Sequence, residues 1–227
     1  MSDQPKTSGF LLINKPADWT SFDAVAYLRK VTGIKKIGHA GTLDPLATGL
    51  LIVAIGSLAT KKIDQYVKLD KIYTTKIKLG ETSDSYDAQG KILINPSAGQ
   101  PTESVMNKTI ATMIGPQQQI PPMFSAKKVN GQKLYQLARQ GITIDRLPTN
   151  IIIHDFQLLS YQYPWVELLI HCSSGTYIRS LVHDLGQSLG YGAVMYQLRR
   201  EQIGNYKIQQ ATELKDLTAT NWPSFLQ

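Results

Sequence analysis

Cysteine is almost absent from this chain: Cys172 stands alone among 227 residues. A single thiol excludes an internal disulfide and any zinc cluster built on cysteines. Long apolar runs are missing as well. The longest clear one, "LLIVAI" at residues 50–55, falls far short of the ~20 residues a membrane helix needs. The start, "MSDQPKTSG", is polar and lacks an apolar signal core, so a cytoplasmic protein is expected. No internal repeat stands out. Acids are the scarcer charge, 17 against 24 basic residues, which leaves a net charge of +7. That balance points to a polyanionic partner, most often nucleic acid. Many cytosolic enzymes are also basic, and charge alone leaves both readings open. The hydrophobic share is 42%, enough for a full core in one domain, or one domain plus an appendage.

The pattern along the chain is irregular. "GFLLINKP" reads as a short strand stopped by Pro16. Thr20, with Asp23 three residues on, has the form of a capping box and predicts a helix to about Thr32, ended by Gly33. Residues 50–55 follow as a buried run. "KIYTTKIKLG" alternates, with Tyr73, Thr75, Ile77 and Leu79 on the inward face. "ETSDSYDAQG" reads as a polar loop, and a helix bounded by proline and glycine lies between residues 95 and 122. Residues 125–141 carry Lys127, Lys128, Lys133 and Arg139 with no acid and few apolar anchors, so this segment is expected to project from the core. Two further strands precede a helix from about Thr176 to Leu189, capped by Gly190. Strands and helices interleaved without a βαβ rhythm predict an α+β fold with a largely antiparallel sheet.

One stretch is chemically odd. "GHAGTLDPLATG", residues 38–49, places Asp44 among turn residues just before the buried run. An Asp-Pro pair in a glycine-rich segment commonly does no more than start a turn. Leu43 and Leu46 flank this one, however, and a strand edge is where loops present reactive groups. Arg179 is the second oddity. It falls in the first turn of a predicted helix, where the positive pole disfavours a cation by ~0.3–1 kcal/mol. A nearby carboxylate would reverse that cost; a solvated surface arginine is the plainer reading. Tyr73 is either a core tyrosine or a ring facing a site. His39 reads first as a turn histidine, and His154, His171 and His183 show no metal spacing. Cys172 is expected to be buried and inert. Asp84 and Asp87 lack a calcium-loop pattern. Residues 125–141 and "QLRREQIGNY" are the natural phosphate binders, with Tyr135, Tyr177, Tyr191 and Tyr196 as stacking candidates.

Four stretches together, "GFLLINKPADWTSFDAV", "GHAGTLDPLATGLLIVAIGSLATK", "IPPMFSAKKVNGQKLYQLARQG" and "CSSGTYIRSLVHDLGQSLG…LRR", resemble the TruB-type pseudouridine synthases. The resemblance implies a pseudouridine synthase fold, a mixed and largely antiparallel sheet flanked by helices and loops. It implies one catalytic domain over residues 9–207, with an RNA-clasping insertion at about 115–145. A short tail at 208–227 would stand in place of a full C-terminal PUA-type RNA-binding domain. The implied activity is isomerisation of a T-loop uridine of tRNA, position 55, without cofactor or metal.

Residue by residue, Asp44 matches the family's catalytic aspartate and Tyr73 the tyrosine that stacks on the target base. Arg179 matches the arginine paired with the aspartate. His39 matches the histidine that takes the place of the flipped-out base, and Tyr177 and Leu198 match pocket-lining positions. Lys128 matches a lysine of the insertion and Asp87 an acid of the active-site network. The family's usual "TDT" reads "SDS" at residues 83–85. Two other readings accompany this one: a tRNA-folding chaperone, alone or beside catalysis, and a guide-RNA-dependent relative of the same fold. The implied partner is the tRNA T-stem-loop, with a monomer, no membrane and no obligate protein partner expected.

Overall fold

Thr20 and Asp23 build the first helix as their spacing predicts. Thr20 Oγ1 accepts from the Asp23 amide at 3.0 Å, and the Asp23 carboxylate accepts from the Thr20 amide at 2.8 Å. Gly33 ends the helix in the left-handed conformation. The computed structural model describes residues 8–95, 99–129 and 131–227. The polar start at residues 1–7 lies outside the described residues. Those described divide into two compact units, one of residues 8–73 and 198–227, the other of residues 74–197.

In chain order the first unit holds β1 (Gly9–Lys15), α1 (Ser21–Thr32), β2 (Ile37–Ala40), β3 (Thr48–Ile55), α2 (Gly56–Thr60) and α3 (Asp64–Val67). Strand β4 (Lys71–Leu79) begins there and ends in the second unit. The second unit continues with β5 (Glu81–Ser83), β6 (Ile92–Ile94), α4 (Glu103–Thr112), β7 (Gly115–Gln119), β8 (Lys128–Val129) and β9 (Gln132–Lys133). It is completed by α5 (Leu134–Arg139), β10 (Thr149–Gln162), β11 (Trp165–Cys172) and α6 (Ile178–Leu189). Strand β12 (Ala193–Ile203) then leads back to the first unit, where β13 (Tyr206–Lys207) and β14 (Thr212–Glu213) close the chain's strands.

Within the first unit the strands run in the order β14–β1–β3–β12, with β2 also on β3 and β13 on β12. β1 lies antiparallel to β3, from Gly9 opposite Ile55 to Lys15 opposite Gly49, while β12 meets β3 in parallel. The buried run proves to be β3, and it is apolar without alternation because both its faces are covered. Leu51, Val53 and Ile55 join Leu11, Ile13, Val25 and Leu28 in one core cluster. Leu50 and Ile52 join Leu12, Ala40, Ile203 and Ile208 in another. Residues 208–227, expected as a short tail, give Leu214, Leu217 and Trp222 to the first of these clusters.

The second unit orders its strands β12–β4–β11–β10–β7, with β10 antiparallel to both β11 and β7, and adds the hairpins β5–β6 and β8–β9. Antiparallel pairs predominate in both units, as an α+β reading requires. Helix α4 packs against β10 and α6. On β11, Val166, Leu168, Ile170 and Cys172 alternate inward, and on α6 Ile178, Leu181, Val182 and Leu185 are buried. The alternation expected for β4 is present, with Tyr73, Thr75, Ile77 and Leu79 on its buried face.

Candidate active site

In the first unit the Asp44 loop leaves β2 and enters β3. Asp44 is half-buried, and its carbonyl accepts from the Ala47 amide at 3.0 Å, so the Asp-Pro turn is real. Three side chains hold this loop from outside. Ser21 Oγ accepts from the Leu43 amide at 2.9 Å and donates to the Leu43 carbonyl at 3.3 Å. Lys15 is fully buried, and its ammonium donates to the carbonyls of Pro16 (2.7 Å), Trp19 (2.5 Å) and Pro45 (3.3 Å). Burial lowers this ammonium from 10.5 to about 8, against the opposing pull of the Asp44 carboxylate. Arg200 is 1% exposed and reaches both ends of the loop, donating from Nε to the Leu50 carbonyl at 2.7 Å and from Nη2 to the Gly41 carbonyl at 3.1 Å. Gly49 makes that approach possible. Its φ is 103°, and a Cβ there would lie 2.4 Å from the Arg200 carbonyl oxygen.

His39 is on β2 rather than in a turn, because the sheet pairs it with Val53. Its ring meets Phe22 edge-on at 5.5 Å, and its buried Nδ1 has no partner among the described residues. Burial, then the Arg200 charge, holds its pKa below the usual histidine value. Tyr73 is buried on β4. Leu198, buried on β12, accepts through its carbonyl from Thr48 Oγ1 at 3.5 Å, and one residue on the Arg199–Thr48 pairing begins.

The second unit holds a charged cluster around Arg179. Arg179 lies in the first turn of α6 and is only 4% exposed. Its Nη1 donates to the Ser85 carbonyl at 3.2 Å and stands 3.6 Å from Asp87 Oδ2, while Nη2 donates to the Phe124 carbonyl at 2.8 Å. A planar fork with several donors suits such a set of acceptors. They offset the helix-pole penalty, so the arginine is not a solvated surface residue. Asp87 in turn accepts at Oδ1 from Ser85 Oγ (2.6 Å) and the Gln89 amide (3.0 Å). Ser83 Oγ donates to the Asp87 carbonyl at 2.7 Å. The segment read as a polar loop therefore turns alternate residues inward: Glu81, Ser83, Ser85 and Asp87 are all buried, each satisfied by hydrogen bonds within it or, for Glu81, by Lys78 and Tyr196.

Tyr177 caps α6 and is clamped by Gln119, whose Oε1 accepts from the Tyr177 amide (2.8 Å) and whose Nε2 donates to its carbonyl (3.0 Å). Lys128 is exposed on β8, opposite Lys133. Lys133 and Arg139 lie over the Tyr135 ring at 5.5 and 5.4 Å. The reading of "QLRREQIGNY" as a phosphate binder fails for Arg200, which is spent on backbone carbonyls inside the core. Lys15, Arg200 and Gln119 escaped the sequence reading. Their only signal was a position within or beside the quoted motifs, and their partners lie up to 159 residues away.

Residues 29–178 match the family model described as TruB family pseudouridylate synthase (N terminal domain). The chain belongs to the TruB family. Residues 179–224 match a second model, tRNA pseudouridylate synthase B C-terminal domain. A protein of Protochlamydia amoebophila named tRNA pseudouridine synthase B is 47% identical over 214 residues, 94% of this chain and 81% of that one. Another of the same name, from Clostridium acetobutylicum, is 48% identical and covers 94% and 73%. Among solved structures, that of a Cbf5-Nop10-Gar1 complex aligns with a TM-score of 0.73 at 27% identity, over 92% of this chain and 53% of that one. The TruB chain thus spans about half the length of that structural neighbour. Its α+β architecture is the pseudouridine synthase fold.

Proposed function

We propose that this TruB-family chain is a tRNA pseudouridine synthase acting without a guide RNA on the T-loop uridine at position 55. Relatives named tRNA pseudouridine synthase B, 42–48% identical over at least nine-tenths of the chain, carry this reading. Asp44 supplies the carboxylate that acts at C1′ of the target nucleotide, either by attack or by assisting departure of uracilate. The N1–C1′ bond breaks, the base turns, and C5 bonds to C1′ as its proton leaves. Arg179 provides a fixed positive charge that keeps the carboxylate ionised in a dry site. Tyr73 stacks on the detached base while it rotates. His39 fills the space of the extruded nucleotide, whose unstacking costs a few kcal/mol. Tyr177 and Leu198 line the base pocket, and Asp87 holds Arg179. Lys128 and its basic neighbours in residues 115–145 contact the RNA backbone.

The test is a purified chain with guide-free tRNA transcript carrying tritium at uridine C5. Tritium release is expected from wild type, whereas Asp44→Asn should bind tRNA with near-normal affinity and release none. Normal release by Asp44→Asn would refute the assignment of the carboxylate. No release by the wild type would refute the guide-free reading.

A further inference from the structure

Tyr86 has a left-handed backbone, with φ at 66°, a conformation bulky L-residues rarely adopt. Its neighbours explain what this conformation achieves. Ser85 offers its carbonyl to Arg179, and Asp87 offers its carboxylate to the same guanidinium nitrogen. The left-handed residue between them turns both acceptors towards one cation. Its backbone is held at both ends, by Tyr86 N–H to the Ser83 carbonyl (3.2 Å) and Met195 N–H to the Tyr86 carbonyl (3.2 Å).

The Tyr86 side chain has its own anchor. Its ring stacks on His183, with centroids 4.0 Å apart and planes 16° from parallel. His183 lies four residues after Arg179 on α6, one turn along the same helix face. Helix α6 therefore grips the segment at two points, by a guanidinium and by an imidazole. His183 Nδ1 is buried with no partner among the described residues, and burial lowers the histidine's pKa. A neutral ring stacked flat on an aromatic suits that setting.

We infer that His183 is a positioning residue for the pseudouridylation site: by stacking on Tyr86 it keeps the Ser85 carbonyl and the Asp87 carboxylate on Arg179. This rests on the proposed role of Arg179 in that reaction. In this role His183 acts through the 85–87 segment on the guanidinium.

The experiment uses the full chain, with steady-state kinetics on tRNA transcript and NMR hydrogen exchange of the Arg179 guanidinium in RNA-free protein. His183→Ala should lower kcat about tenfold, a modest misplacement of a reacting constellation, with KM and melting temperature unchanged. It should also speed exchange of the Arg179 Nη protons. His183→Phe, which keeps a flat ring, should restore both. Tyr86→Gly accepts the left-handed backbone without strain but lacks the ring, so it should behave like His183→Ala. The double variant should be no worse than either single one. Wild-type kcat and exchange in His183→Ala would overturn the inference, as would a melting-temperature loss that accounts for the whole effect, or no rescue by His183→Phe. An inactive wild-type chain would refute the functional reading alone, because guanidinium exchange would still decide the positioning role.

Discussion

Arg179 and Asp87 form a buried pair whose worth depends on completeness. Taking one partner away leaves a charge in the core, which typically costs 3–5 kcal/mol. Arg179→Ala is therefore expected to destabilise the fold by about 3 kcal/mol in urea titration and to lower turnover severely. Arg179→Lys keeps the charge but loses the fork that reaches the Ser85 and Phe124 carbonyls, so its stability should fall between the two. Lys15 makes a prediction of a different kind. Its folded pKa is lowered from 10.5 to about 8 by burial. Between those values the unfolded chain binds more protons than the folded one, so this group makes stability rise with pH from about 8 to 10.5. Denaturation of wild type and Lys15→Met across that range should show the slope in wild type and a weaker one in the variant.

At the level of elements, the Asp44 loop is held by the strands and helix around it. Ser21 begins α1, Lys15 ends β1 and Arg200 lies on β12, and each bonds to backbone of the 41–50 segment. Gly49 is the point of closest approach. Gly49→Ala would place a Cβ against the Arg200 backbone while imposing a left-handed conformation on alanine. Clashes of this sort cost roughly 1–3 kcal/mol, and the backbone strain adds to that. The expected result is a lower melting temperature together with lost turnover, as β12 and the loop move apart. Unchanged melting would show that the strand pairing tolerates the displacement. α6 plays the matching part in the second unit, presenting Arg179 at its start and His183 one turn later.

For the molecule as a whole, the chain's last residues complete a core begun by its first ones. Trp222 is 5% exposed and clusters with Leu11, Val25 and Val53. Trp222→Ala should cost about 3–5 kcal/mol, as large-to-small changes in a core do. Calorimetry would measure this, and a change within ±0.5 kcal/mol would contradict the packing described. No helix is long and apolar enough to cross a membrane among the described residues.

Sequence by itself determined whatever depends on near neighbours. The Thr20–Asp23 box and Gly33 bound α1 because capping is complete within a few residues. Period-two alternation put Tyr73 on the buried face of β4, and helix polarity marked Arg179 as a cation in need of acceptors. The four motifs named the family and Asp44 with it. Tertiary structure alone decided which acceptors Arg179 found, that Ser83, Ser85 and Asp87 of "SDSYD" lie inside, that His39 belongs to a strand, and that Lys15 and Arg200 serve the backbone of the Asp44 loop. The physical reason is separation along the chain. A buried charge is permitted by partners brought from distant segments, and no local pattern of residues records where those partners will come from.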